Sequence, residues 1–114
     1  MKSAGGSHTG TGTWLVQRAS AVTLAFALPV LGIYILAALP ADYAAWRALF
    51  APLAWRAALV LTAAALALHA WVGMRDIFMD YVRSTGLRLT LYLAVIAILA
   101  GSVAALAASL GSLA

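Results

Sequence analysis

The chain has 114 residues, 66% of them hydrophobic, with seven Lys or Arg against three Asp or Glu. A mean hydropathy of +1.03 excludes an ordinary soluble domain, in which about a quarter of the residues are charged, because a fold this small cannot bury so much apolar surface. The absence of cysteine excludes disulfides and the thiolate ligands of an iron–sulfur cluster. The pI near 10.1 does not point to nucleic acid, because the basic residues are dispersed beside apolar runs, as membrane-edge anchors are. The expectation is an all-α integral membrane protein, a single bundle with no separate soluble domain.

Residues 1–13, "MKSAGGSHTGTGT", are rich in Gly, Ser and Thr and read as a flexible N-terminal tail, with His8 a solvated tail histidine. Residues 14–114 form the membrane part, with helices expected at about 19–39, 57–80 and 87–112. The first run, "ASAVTLAFALPVLGIYILAAL", is 21 uncharged residues, about 31 Å as a helix, enough for a hydrocarbon core of about 30 Å. Pro29 lies inside it, which a membrane helix tolerates when neighbours satisfy the freed carbonyl. In the connection 40–56, Tyr43, Trp46 and Phe50 recur at helical spacing, as in a short helix lying in the membrane interface, and Trp46 and Trp55 suit the aromatic belt. The second uncharged run, 57–74, is expected to continue as helix past Arg75 toward Tyr81, and the third, 89–113, is ample for a tilted span. Ala97, Gly101 and Ala105 form a small-residue ladder on this last helix that another helix could approach closely.

Three spans put the N-terminal flank and the second connection on one side. That side holds Lys2, Arg18, Arg75, Arg83 and Arg88, and the other holds Arg47 and Arg56. The excess of positive charge assigns the N-terminus to the cytoplasm and the C-terminus to the periplasm.

The chemistry-bearing residues cluster toward the end of the second span. At about 100° per residue, Asp76 and Asp80 fall within about 20° of the direction of His69, and Gly73, one turn on, removes bulk from nearly the same face. An ionisable group at this depth is costly and usually faces a bundle interior or a site. A neutral imidazole needs a partner for its acceptor nitrogen: haem iron is one, a hydroxyl on another helix is a second. With one membrane histidine in the chain, a six-coordinate b-type haem would draw its other ligand from another subunit or a second copy. Tyr81 and Asp80 are suited to hydrogen-bond a quinone carbonyl and manage its protons, or to serve as ordinary interface anchors. Arg18, at the mouth of the first helix, is placed to pair with a haem propionate or a phospholipid headgroup.

Two stretches, "RASAVTL" and "LHAWVGMRDIFMDYVRSTGLRLTLYL", resemble the hydrophobic membrane anchor of bacterial succinate dehydrogenase, the D-type subunit of respiratory complex II. The pattern is H-A-W-x-G-M, then D-Y-V about eleven residues on, a basic segment and L-R-L; the aromatic connection "ADYAAWRALF" is similar as well. The resemblance covers nearly the whole chain after the tail. It implies a non-catalytic anchor and electron-transfer subunit in the bacterial inner membrane. Its partners would be a cytochrome b556-type anchor subunit, an iron–sulfur subunit and a flavoprotein, and succinate would be oxidised in the flavoprotein. It implies that His69 is an axial ligand of haem b shared with the cytochrome b subunit, that Tyr81 hydrogen-bonds ubiquinone with Asp80 adjacent, and that Arg18 lies by the haem and quinone region. Arg75 and Asp76 depart from the family pattern, which is often less charged at those positions. Two alternatives accompany this reading: the anchor of a fumarate reductase, and a small transporter or channel accessory protein with His69 as a structural or proton-relay group.

Overall fold

The computed structural model describes residues 4–112, with side chains from Gly12 onward; Lys2 and the side chain of His8 lie outside the described residues. Four helices follow in order: α1 (Ala4–Ala38), α2 (Tyr43–Leu49), α3 (Leu53–Tyr81) and α4 (Thr85–Gly111). Three segments, Gly12–Ala38, Leu53–Tyr81 and Thr85–Gly111, are long and apolar enough to cross a membrane. The backbone is helical from Ala4, through most of the segment whose composition predicts a flexible tail, and α1 continues through Pro29. The other spans also begin earlier than their uncharged runs. Pro52 opens α3, where its missing N–H costs nothing. Ser84 opens α4, its Oγ accepting the Leu87 N–H at 3.3 Å.

α1 and α3 pack antiparallel, and two contacts define their register. Ser20 Oγ lies 3.1 Å from His69 Nδ1, and the Tyr34 ring stacks on Trp55 with centroids 3.6 Å apart and planes 6° from parallel. Fourteen residues forward on α1 correspond to fourteen backward on α3, as straight antiparallel pairing requires. Between these contacts α1 buries Leu24 and Leu31 and α3 buries Thr62 and Ala65; Ser20 and, just beyond His69, Val72 are buried as well. Thr62 disposes of its hydroxyl proton on the Ala58 carbonyl, 2.7 Å away, so its burial leaves no unpaired donor.

α2 begins with Asp42, whose carboxylate accepts the Ala45 N–H at 2.8 Å. Tyr43 is 73% exposed, but Phe50, just past the helix end, is 4% exposed and packs with Leu31 and Leu110. Phe50 therefore ties α1 to α4 instead of being exposed like the other two aromatics. Tyr34 completes this end: its hydroxyl donates to the Leu49 carbonyl at 2.6 Å, and its ring meets Phe50 edge-on at 6.1 Å. At the other end a three-residue connection, 82–84, turns α3 into α4, and Tyr92 contacts both Trp71 (5.5 Å) and Phe78 (6.1 Å). Ala97, Gly101 and Ala105 are all exposed on α4, so the small-residue ladder points away from the chain's own helices.

Phe50→Ala removes a side chain that joins two helices and is expected to destabilise the purified protein by about 3 kcal/mol. Tyr34→Phe removes one hydrogen bond and keeps the stack, at a cost of about 1 kcal/mol. Thermal unfolding in detergent measures both; equal effects from the two substitutions would contradict this account of the aromatic cluster.

Candidate functional site

Depth along α3 sorts the polar residues. The helix has 29 residues, about 43 Å at 1.5 Å per residue, so it outruns a hydrocarbon core of about 30 Å at its ends. With the helix centred on that core, His69, two residues or about 3 Å from the midpoint, lies well inside it. Asp76 is about 13 Å from the midpoint, near the boundary, and Asp80 and Tyr81 are about 20 Å out, at headgroup depth. His69 and Tyr81 are thus separated by about 18 Å of helix axis and cannot act on one small molecule as direct neighbours.

The part of the stripe that carries His69 and Asp76 turns toward α1. Of the two partners that the residue type allows, a hydroxyl from another helix is present: Ser20 on α1. Ser20 is 5% exposed, and its Oγ also lies 3.1 Å from the carbonyl oxygen of Gln17. The contact engages only Nδ1 of His69. The half-buried ring presents Nε2 at an accessible surface, outside the set of buried atoms that lack partners. A Cβ added at Gly73 would meet nothing within 4 Å, so the face one turn beyond the imidazole is open. Among the described residues no cluster of three or more His, Cys, Asp or Glu could hold a metal ion alone. His69 can therefore donate one nitrogen to a metal whose other ligands come from elsewhere, which is the donor set that an axially ligated haem iron requires.

One turn further toward the rim, Thr13, Trp14, Gln17, Val72 and Asp76 line a cleft of about 250 Å³ between α1 and α3. The side-chain oxygen of Gln17 is buried without a hydrogen-bond partner. Asp76 stands 3.6 Å from the Arg75 guanidinium, and its side chain is 61% exposed, so the pair is worth little in energy. Arg18 is exposed and lies over the Trp14 ring at 5.3 Å, a cation–π contact one helical turn back. Tyr81 is 80% exposed and Asp80 is exposed beside it. The geometry thus joins His69 to α1 and leaves Arg18, Asp80 and Tyr81 facing outward, with no hydrogen bond or ion pair drawing these three together.

A family model described as succinate dehydrogenase/fumarate reductase transmembrane subunit matches residues 2–107. The chain belongs to that family. It is also similar to a protein named succinate dehydrogenase hydrophobic membrane anchor subunit from Coxiella burnetii (strain RSA 493 / Nine Mile phase I), with 33% identity over 95 residues, covering 83% of each chain. Membership accounts for the three long apolar helices and for the resemblance in "RASAVTL" and "HAWVGM". Sequence reasoning did not single out Ser20 and Gln17. The available signal was that Ser20 begins the inward stripe of this family member's first helix, with Leu24 and Leu31 following at helical intervals.

The chain has no native cysteine, so single cysteines introduced on α3 give an unambiguous depth map. In intact membranes Tyr81→Cys and Asp80→Cys are expected to react with a membrane-impermeant thiol reagent at least tenfold faster than Ala70→Cys, beside His69. Comparable labelling at all three positions would refute the depth order.

Proposed function

We infer that the chain is the hydrophobic membrane anchor of a succinate dehydrogenase in a bacterial inner membrane. Its N-terminus is cytoplasmic and its C-terminus periplasmic. It tethers a flavoprotein and an iron–sulfur subunit, pairs with a cytochrome b556-type anchor subunit, contributes one axial ligand to haem b and forms part of the ubiquinone site. The observation that carries the reading is the ordered polarity of α3: an imidazole with an unengaged Nε2 in mid-membrane and an exposed carboxylate and phenol at one rim. The family description covers both succinate dehydrogenase and fumarate reductase; the name of the Coxiella relative favours the former.

In this reading His69 Nε2 is the ligating atom, and the bound haem supplies a one-electron redox centre. The open face at Gly73 leaves room for its macrocycle, and a partner subunit completes the coordination. Tyr81 Oη donates a hydrogen bond to a quinone carbonyl at the rim, and Asp80 takes part in the proton exchange that quinone reduction requires. Arg18, held over Trp14, offers its guanidinium to a haem propionate or a quinone-pocket group on the same side of the membrane. Succinate itself is handled in the flavoprotein, and the outward small-residue ladder of α4 offers close approach to a partner helix.

His69→Ala is expected to abolish most b-type haem absorbance in the purified complex; an unchanged spectrum and haem content would remove the ligand assignment. Tyr81→Phe loses one hydrogen bond and should lower succinate–ubiquinone activity about three- to tenfold, while succinate oxidation with an artificial dye is spared. Equal loss of both activities would contradict the quinone role.

A further inference from the structure

The Ser20 hydroxyl has one proton and two neighbours, the Gln17 carbonyl oxygen at 3.1 Å and His69 Nδ1 at 3.1 Å. A carbonyl oxygen can only accept, and an imidazole nitrogen can be either donor or acceptor. Both contacts are hydrogen bonds at once in only one arrangement: the hydroxyl proton goes to the Gln17 carbonyl, and a Ser20 oxygen lone pair accepts a proton brought by Nδ1. A neutral imidazole has a single N–H. With that proton on Nδ1, the lone pair available to a metal is on Nε2, which has no hydrogen-bond partner among the described residues.

We propose that Ser20 is a positioning residue that holds His69 in the Nδ1–H tautomer and so presents Nε2 as the metal-ligating nitrogen; this rests on the reading of His69 as a haem ligand. Burial gives the contact its force. Ser20 is 5% exposed, so water competes little for this contact, and the other tautomer would draw the hydroxyl proton to Nδ1 and give up the Gln17 contact, a loss that weighs more in a low-dielectric interior. The acceptor is neutral and already committed to a backbone carbonyl. It fixes the ring's orientation without the anionic character that a carboxylate partner would lend to the ligand. The helix supplies the rest: the Gln17 carbonyl has a second lone pair free for a hydroxyl one turn on.

The test uses the intact complex with three variants, Ser20→Ala, Ser20→Thr and His69→Ala. Haem content, the low-spin ferric electron paramagnetic resonance signal and the haem midpoint potential are read in each. Loss of a group that orients a metal-ligating histidine typically weakens binding about tenfold to a hundredfold. Ser20→Ala is therefore expected to bind haem at least tenfold more weakly and to shift the resonance and potential of what remains. Ser20→Thr, which keeps the hydroxyl, restores all three. If Ser20→Ala matches the unsubstituted complex while His69→Ala loses haem, the positioning role is wrong and the ligand assignment stands. If Ser20→Thr fails as badly as Ser20→Ala, Ser20 acts by packing and the proposal falls. If His69→Ala keeps its haem, the ligand assignment itself fails and the positioning role with it.

Discussion

The antiparallel seam between α1 and α3 is the constraint on which the remaining geometry depends. In a bilayer, apolar surface alone gives helices little reason to choose one another, because lipid is as apolar as leucine; close packing and interhelical hydrogen bonds decide the register. This chain uses one of each. The Tyr34–Trp55 stack, with the Tyr34 hydroxyl on the Leu49 carbonyl, holds one end of the seam. The Ser20–His69 contact holds the other half. Sliding α1 by one residue would break both at once, so the imidazole's height and the packing of the opposite end are set together.

In the proposed reading, that division separates structural from chemical duties along the helix axes. Aromatic contacts concentrate where α1, α2 and α4 meet through Leu31, Phe50 and Leu110. Polar groups that can serve electron and proton chemistry concentrate on the other half, from His69 through Gln17 and Asp76 to Asp80 and Tyr81. The chain buries little of itself: among the described residues the buried apolar ones are Leu24, Leu31, Phe50, Ala65, Val72 and Leu110. Most of α4 faces outward, which suits a subunit whose surfaces are completed by lipid and by other chains.

Much of this was legible in the residues. Uncharged runs of sufficient length mark the spans, and the 3.6-residue period puts His69, Asp76 and Asp80 on one stripe. Helix ends were less legible, because an uncharged run ends at a charge whereas a helix ends at a cap: α3 starts at Leu53 behind Pro52 and carries Arg56 and Arg75 within it. Gly and Ser content predicts a flexible tail, yet the backbone there joins α1 at Ala4. Phe50 shared its spacing with Tyr43 and Trp46, and only the meeting of three helices distinguishes it as buried. The partner of His69 was the hardest to foresee. A hydroxyl was one of two candidates, but choosing Ser20 requires the register between two helices, which a periodicity within either helix does not contain.

The continuity of α3 from His69 to Tyr81 has a geometric consequence. A helix couples distance to direction: each residue adds about 1.5 Å of height and about 100° of rotation. The twelve steps between these residues therefore set both how far apart the two stations stand and the angle between the bearings on which they look out, roughly a third of a turn. A single inserted or deleted residue between them would scarcely change the height, yet it would swing the phenol to a different side of the rod while the imidazole kept its own bearing. Position 81 is thus locked in phase with position 69, and the length of this segment is under a stricter constraint than its composition.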